Sequence, residues 1–169
     1  MKTIPVRTTY LEMVARPTHD TPPPGERIEV IHALRPTIGF YRFLYDAVGR
    51  DFQWVDRTMM SDEALGAIVH DDRVEVHVLY AHGTPAGYAE LDRREDGQIE
   101  LAYFGIMPEF RGKGFGRYFL DWAVAKAWSY GPERVWVHTC ELDHPAALPI
   151  YLAAGFTVYD ERILDQPMP

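Results

Sequence analysis

The chain has 169 residues, of which 47% are hydrophobic, 25% charged and 13% aromatic. That length suits one ordinary domain, typically about 100–150 residues, and the apolar content excludes a disordered chain. With 17 basic against 25 acidic residues the net charge is −8. This excludes a general attraction to nucleic acid or an anionic membrane while leaving room for a local basic site.

A first strand is predicted near Tyr10–Ala15. A loop follows at Thr21-Pro22-Pro23-Pro24-Gly25, a run that neither a helix nor a central strand can hold. Pro36-Thr37 opens a helix in which Phe40, Phe43, Leu44 and Ala47 share a face before Gly49. Ser61-Asp62-Glu63 reads as an N-cap with an acidic first turn, giving a short helix to about Val69. Val74, Val76 and Val78 then alternate with Glu75, His77 and Leu79, the period of a strand. Gly83-Thr84-Pro85 turns the chain into a strand at Ala86–Leu91. Asp96-Gly97 is a hairpin signal before a strand at Gln98–Met107.

A glycine-rich turn comes next, then a helix whose Leu120, Ala123, Val124, Ala127 and Trp128 form a stripe wide enough to cover a sheet face. Arg117 and Asp121 are spaced to pair on its solvent side. Gly131-Pro132 stops it. A strand at Val135–Val137, a short helix at Pro145–Ala154 and a last strand at Thr157–Ile163 follow. The pattern is α+β: helices, an antiparallel meander, then a β-helix-β-helix-β ending.

Cys140 is the only cysteine, so neither an internal disulfide nor a cysteine-based metal cluster can form. The histidines show no metal-ligand spacing, no metal is expected, and His77 and His138 are read as strand residues with no assigned role. No apolar run approaches the ~20 residues needed to span a bilayer. Met1–Arg7 lacks the apolar stretch of a signal peptide, so a cytoplasmic location is expected.

Chemistry concentrates at Arg111-Gly112-Lys113-Gly114-Phe115-Gly116, which joins an apolar strand to the start of a helix. Glycines let backbone N–H groups approach a ligand closely, and a helix start supplies unpaired donors with partial positive charge. Arg111, Lys113 and Arg117 add full charges, so a phosphate or pyrophosphate fits. The plain alternative is a helix-initiating turn with solvated basic residues. A triphosphate-binding P-loop is disfavoured because Gly114, not Ser or Thr, follows Lys113. A dinucleotide fingerprint is disfavoured because the first-strand position and the downstream acid are missing. Gly105, in an otherwise bulky strand, marks a bulge or a close backbone approach. Pro149 is expected to bend the last helix.

The glycine segment resembles the Arg/Gln-x-x-Gly-x-Gly/Ala motif of the GNAT acyl-CoA N-acyltransferases. Downstream, Ala147-Leu148-Pro149-Ile150-Tyr151-Leu152-Ala153-Ala154-Gly155-Phe156 resembles that family's Ala-x-x-x-Tyr-x-x-x-Gly-Phe ending. The resemblance covers roughly Val74–Val158, and the preceding residues match only as the variable helical part. It implies a mixed, mainly antiparallel central sheet flanked by helices, with an acyl-CoA cleft between two splayed central strands. Residues 1–169 would form a single GNAT-like domain, with acceptor-side helices at about 36–70 and a cofactor core at about 74–158.

By the same resemblance acetyl-CoA is the cosubstrate. Its pyrophosphate would sit on the backbone of Arg111, Gly112, Lys113, Gly114, Phe115, Gly116 and Arg117. Its pantetheine arm would pair beside Phe104, Gly105 and Ile106, and the strand Arg134–Thr139 would splay away. His144 stands where the family most often has an asparagine, seven residues before Tyr151, and is assigned to the cofactor. Tyr151 matches the family's tyrosine, the acid for the leaving thiolate; a phenol of pKa about 10 suits that task. Glu100 resembles the strand glutamate of histone-type members and is the candidate base. By alternation it would share a face with Ala102 and Phe104 and be partly desolvated. Ordered water is the alternative base.

The acceptor pocket is expected from Phe40, Tyr41, Tyr45, Phe52 and Trp54 with Asp46, Asp51 and Asp56, walls that suit a cationic amine. The leading function is N-acetyl transfer to a primary amine of a small molecule. A protein amine, a non-catalytic acyl-CoA sensor and a nucleotide-phosphate module remain alternatives. Homodimers are common in the family, and the oligomeric state stays open.

Overall fold

The computed structural model describes residues 1–168. Its elements in chain order are β1 (Thr3–Met13), β2 (Ile28–Ala33), α1 (Ile38–Gly49), α2 (Asp62–Val69), β3 (Val74–Ala81), β4 (Thr84–Asp92), β5 (Gln98–Ile106), α3 (Phe115–Trp128), β6 (Arg134–Cys140), α4 (Ala147–Ala154) and β7 (Thr157–Pro167). The strands form one seven-stranded sheet in the order β2-β3-β4-β5-β6-β1-β7. Every pairing is antiparallel except β5 with β6.

Helices cover both faces. Tyr41, Leu44, Tyr45 and Val48 of α1 and Leu65 and Val69 of α2 pack on Val76, Val78 and Tyr88. Phe119, Leu120, Ala123, Val124 and Ala127 of α3, with Tyr151 and Ala154 of α4, cover the opposite face over Leu79, Leu101, Val135 and Val137. A fully buried Leu or Phe here contributes about 1.5–3 kcal/mol. Between two helical layers β3 is buried on both sides, so Glu75 and His77 lie inside at 2% exposure each.

The Thr37 and Ser61 hydroxyls accept from the N–H groups of Phe40 and Ala64, capping α1 and α2. The buried stripe of α1 runs through Tyr41, Leu44, Tyr45 and Val48, one step round from the expected face, and leaves Phe43 half exposed. Tyrosines serve as core residues there because their hydroxyls find partners, a fact hydropathy does not carry.

β1 begins at Thr3, earlier than expected, because β7 pairs with it from Thr3 on, and β6 joins on its other edge from Thr8. Pro5 is tolerated because β6 pairs with β1 only from Thr8 on. β7 likewise runs past Ile163 to Pro167. β2 was not anticipated from the sequence; Ile28–Ala33 forms as an edge strand on β3. Arg117 does pair with Asp121, at 3.2 Å, but not on a solvent face: the Asp121 carboxylate is 7% exposed and also accepts from the Thr21 hydroxyl. Pro149 does not interrupt α4. It sits in the first turn, where its N–H would have no helical partner, and the ladder starts with Ile150 N–H to Ala146 O at 3.0 Å.

Candidate active site

A cavity of about 690 Å³ opens between β5 and β6. Its cause is topological. The parallel pair holds only from Gln98–Glu100 against Arg134–Trp136, and beyond it the strands diverge. β4 still covers the far edge of β5 out to Ile106. Among the described residues, the near edge of Leu101–Ile106 therefore has no strand partner and lines the cavity.

Gly105 lies on this edge, and a Cβ there would stand 2.2 Å from Val48 Cγ1 of α1. The expected close approach is present, but to a side chain. The bulge lies elsewhere: register shifts between Glu90/Leu91, which face Tyr103 and Leu101 and leave Ala102 unpaired. That extra residue reverses the alternation beyond it. Phe104 packs on Phe119 and Tyr151, at ring distances of 5.6 and 6.4 Å. Glu100 faces the other way, its Oε1 3.4 Å from His138 Nδ1. Glu100 and Phe104 do not share a face, because a bulge shifts the period of a strand by one.

The glycine loop opens at one end of the cavity. Gly112 and Gly114 have φ of 73° and 86°, a conformation costing other L-residues about 1–2 kcal/mol. Phe115 is buried edge-on against Phe110 at 5.7 Å and anchors the turn. Among the described residues, the N–H groups of Gly112 through Arg117 donate to no protein acceptor. They form a row of free donors at the start of α3, with the helix's partial positive charge behind them. At Gly116 a Cβ would lie 3.3 Å from Ile150 Cδ1, so α3 starts close against α4.

The loop's charges are arranged differently from the expectation. Arg111 donates its N–H to Pro108 O at 3.3 Å. Its guanidinium turns inward, from Nε to Ile106 O at 3.0 Å and from Nη2 to Val48 O at 3.2 Å, and lies 4.8 Å from the Phe52 ring centroid. Arg111 thus ties β5 to α1, and Arg117 is engaged by Asp121. Lys113 is left exposed.

Tyr151 lines the cavity from α4 at 6% exposure, edge-on to Phe104 and to Phe156 at 5.9 Å. Burial, and then the Asp143 carboxylate, push its pKa up, so the phenol stays protonated at neutral pH. His144 is exposed at the cavity's rim, stands edge-on to Phe52 at 5.4 Å, and accepts the Ala146 N–H on Nδ1 at 2.9 Å.

On the acceptor side Tyr45, Phe52, Trp54 and Asp56 reach the cavity, together with Tyr103 of β5. Gly49 makes room for Trp54, whose ring atoms come within 2.4 Å of where a Cβ would be. The Trp54 indole donates to Asp143 Oδ1 at 3.0 Å, while Asp143 Oδ2 accepts from Thr139 and the Cys140 N–H at 2.8 and 3.0 Å. Other expected acceptor residues are absent from this wall. Tyr41 is in the core, donating to Glu90 Oε1 at 2.6 Å. Phe40 stacks on Phe43, Asp46 pairs with Arg50, and Asp51 is held 3.5 Å from Arg111. Sequence reasoning missed Tyr103, His138 and Asp143. No local signal marks them, since strands far apart in the chain bring them together.

Residues 34–156 match the acetyltransferase (GNAT) family. A mycothiol acetyltransferase of Streptosporangium roseum is 33% identical over 87 residues, 52% of this chain and 24% of that protein, so the chain spans about a quarter of that relative. An uncharacterized N-acetyltransferase of Bacillus subtilis, YfmK, is 29% identical over 108 residues, 63% of this chain and 70% of the relative. The crystal structure of a GCN5-related N-acetyltransferase from Sphaerobacter thermophilus superposes with a TM-score of 0.63 at 16% identity, over 96% of this chain and 52% of that one; this is a likeness of fold. A family match running from before α1 to the end of α4, on a sheet that opens between its parallel strands, makes the chain a member of the GNAT acetyltransferase family.

Proposed function

We propose that the chain moves an acetyl group from acetyl-CoA to a primary amine of a small molecule by direct attack, as a single acyltransferase unit over residues 1–169. The observation that carries this reading is the row of free N–H donors from Gly112 to Arg117 at the mouth of a cavity walled by the protonated Tyr151. The donors and Lys113 fit a pyrophosphate. The open edge at Phe104, Gly105 and Ile106 fits an extended pantetheine arm, and His144 stands at the rim beside it.

The amine nitrogen attacks the thioester carbonyl carbon; a C–N bond forms and the C–S bond breaks. A backbone N–H near Ile106 polarises the carbonyl. The thiolate takes the Tyr151 phenolic proton, and the amine gives up its own proton on the Glu100 side of the cavity. Tyr45, Trp54 and Tyr103 with Asp56 form an aromatic and acidic wall that favours a cationic acceptor.

Thiol release from acetyl-CoA across a panel of amines tests the reading, alongside direct titration of acetyl-CoA. Tyr151→Phe is expected to keep cofactor affinity and lose about 100-fold or more in turnover. Gly114→Asp, placing a carboxylate among the donors at positive φ, is expected to weaken acetyl-CoA binding. Parental binding by a folded Gly114→Asp variant would remove the loop from the assignment. Binding without thiol release for any amine would favour the sensor.

A further inference from the structure

We infer that His138 of β6 is a catalytic residue, accepting the proton of the attacking amine on Nε2, and that Glu100 of β5 is its positioning residue. The inference rests on the acetyl-transfer reading above. Glu100 does not line the main cavity; His138 does. Their pairing follows from the parallel register, and the bulge separates them from Phe104. The parallel register sets Glu100 beside Trp136. The bulge at Ala102 keeps Glu100 off the face of Phe104. The carboxylate then lies 3.4 Å from Nδ1, with 22% of its side chain exposed, and 43% of the His138 side chain is open. A proton held on Nδ1 by the carboxylate fixes the tautomer that leaves the Nε2 lone pair free. Tyr10 of β1 packs on the ring at 5.7 Å and Trp136 at 6.1 Å, limiting its rotation.

The groups facing His138 from the surrounding elements are Glu100 of β5, Asp143 of the β6–α4 loop, Asp56 of the α1–α2 connection and Tyr10 of β1. The Nδ1 contact with the Glu100 carboxylate is the strongest influence; it and the charges of Glu100, Asp143 and Asp56 outweigh burial and raise the imidazole above 6.5. A base of that strength suits neutral pH. In the step, the amine nitrogen bonds to the acetyl carbon and its proton passes to Nε2. The C–S bond breaks and Tyr151 protonates the thiolate. Solvent then takes the proton from His138 and restores that of Tyr151.

The test measures thiol release from acetyl-CoA against pH, with an amine for which chemistry is rate-limiting, together with NMR titration of the His138 ring. The parent rate is expected to rise with pH through a pKa above 6.5. His138→Gln should lose about 100-fold or more in kcat while binding acetyl-CoA as the parent does. Glu100→Gln should move both the rate limb and the ring titration to lower pH, a shift that neither the amine's ionisation nor a structural role produces. Parental kcat in His138→Gln, or an unmoved His138 titration in Glu100→Gln, overturns the assignment. A parent that binds acetyl-CoA and releases no thiol with any amine overturns the acetyl-transfer reading, and this inference with it.

Discussion

Glu75 on β3 is 2% exposed, yet its carboxylate accepts from His77 Nε2 at 2.8 Å, from Arg93 Nε at 2.8 Å and from the Tyr130 hydroxyl. Burial alone would raise its pKa, but the hydrogen bonds from His77 and Tyr130 and the charges of His77 and Arg93 hold it down to about 2. A carboxyl whose folded pKa lies below its unfolded 4.5 stabilises the fold above that pH. The contribution is lost as pH falls from there toward 2. Glu75→Gln is therefore expected to cost about 3 kcal/mol at pH 7, with the gap to the parent closing in acid. Denaturant midpoints at pH 7 and pH 3 check this, and a gap independent of pH would contradict it. The same fold brings the ligand atoms of His32, Glu75 and His77 within 4.8 Å of one another, although their spacing in the chain gave no sign of a cluster. The residues read most securely were those whose chemistry is local, such as Ser61 as a cap and Gly112 and Gly114 as the glycines of a sharp turn.

At the level of elements, the contact between α1 and β5 sets the width of the acceptor side. Gly105 admits Val48 so closely that any Cβ must displace it, by the 2.2 Å approach noted above. Gly105→Ala is expected to destabilise by about 1–3 kcal/mol through overpacking. Adding Val48→Ala should recover part of the loss, since the alanine methyl then fills the vacated space. Thermal midpoints of both single variants and the pair measure this coupling. A neutral Gly105→Ala would mean that α1 is not held against the strand. The helix of α3 and its glycine turn were legible because an amphipathic period and a positive-φ turn are local properties. The face of α1 was not, because hydropathy ranks Phe40 and Phe43 above Tyr41 and Tyr45, and only Glu90 and Arg57 make tyrosine suitable there.

For the whole molecule, β1 is the piece with the greatest reach. It lies between β6 and β7, and buries Val6, Leu11 and Met13 at 0, 0 and 5% exposure, each contributing about 1.5–3 kcal/mol. Removing residues 1–13 is expected to separate β7 from the sheet and abolish cooperative unfolding. Near-UV circular dichroism and a thermal scan read the outcome; a parental transition in the shortened chain would show that β6 and β7 stand without it. The cavity depends on this arrangement too, because β6 can leave β5 only while β1 holds its other edge.

The sequence by itself determined the order of helices and strands from Pro36 onward, the glycine turn with its free N–H groups, and Tyr151 on the last helix. Each follows from periodicity, capping or backbone freedom within about 15 residues. Only the tertiary structure decided where β1 and β2 sit, which face of α1 is buried, and that Glu100 meets His138 instead of sharing a face with Phe104. Those outcomes depend on strand neighbours far apart in the chain and on one unpaired residue at Ala102, and neither leaves a local trace.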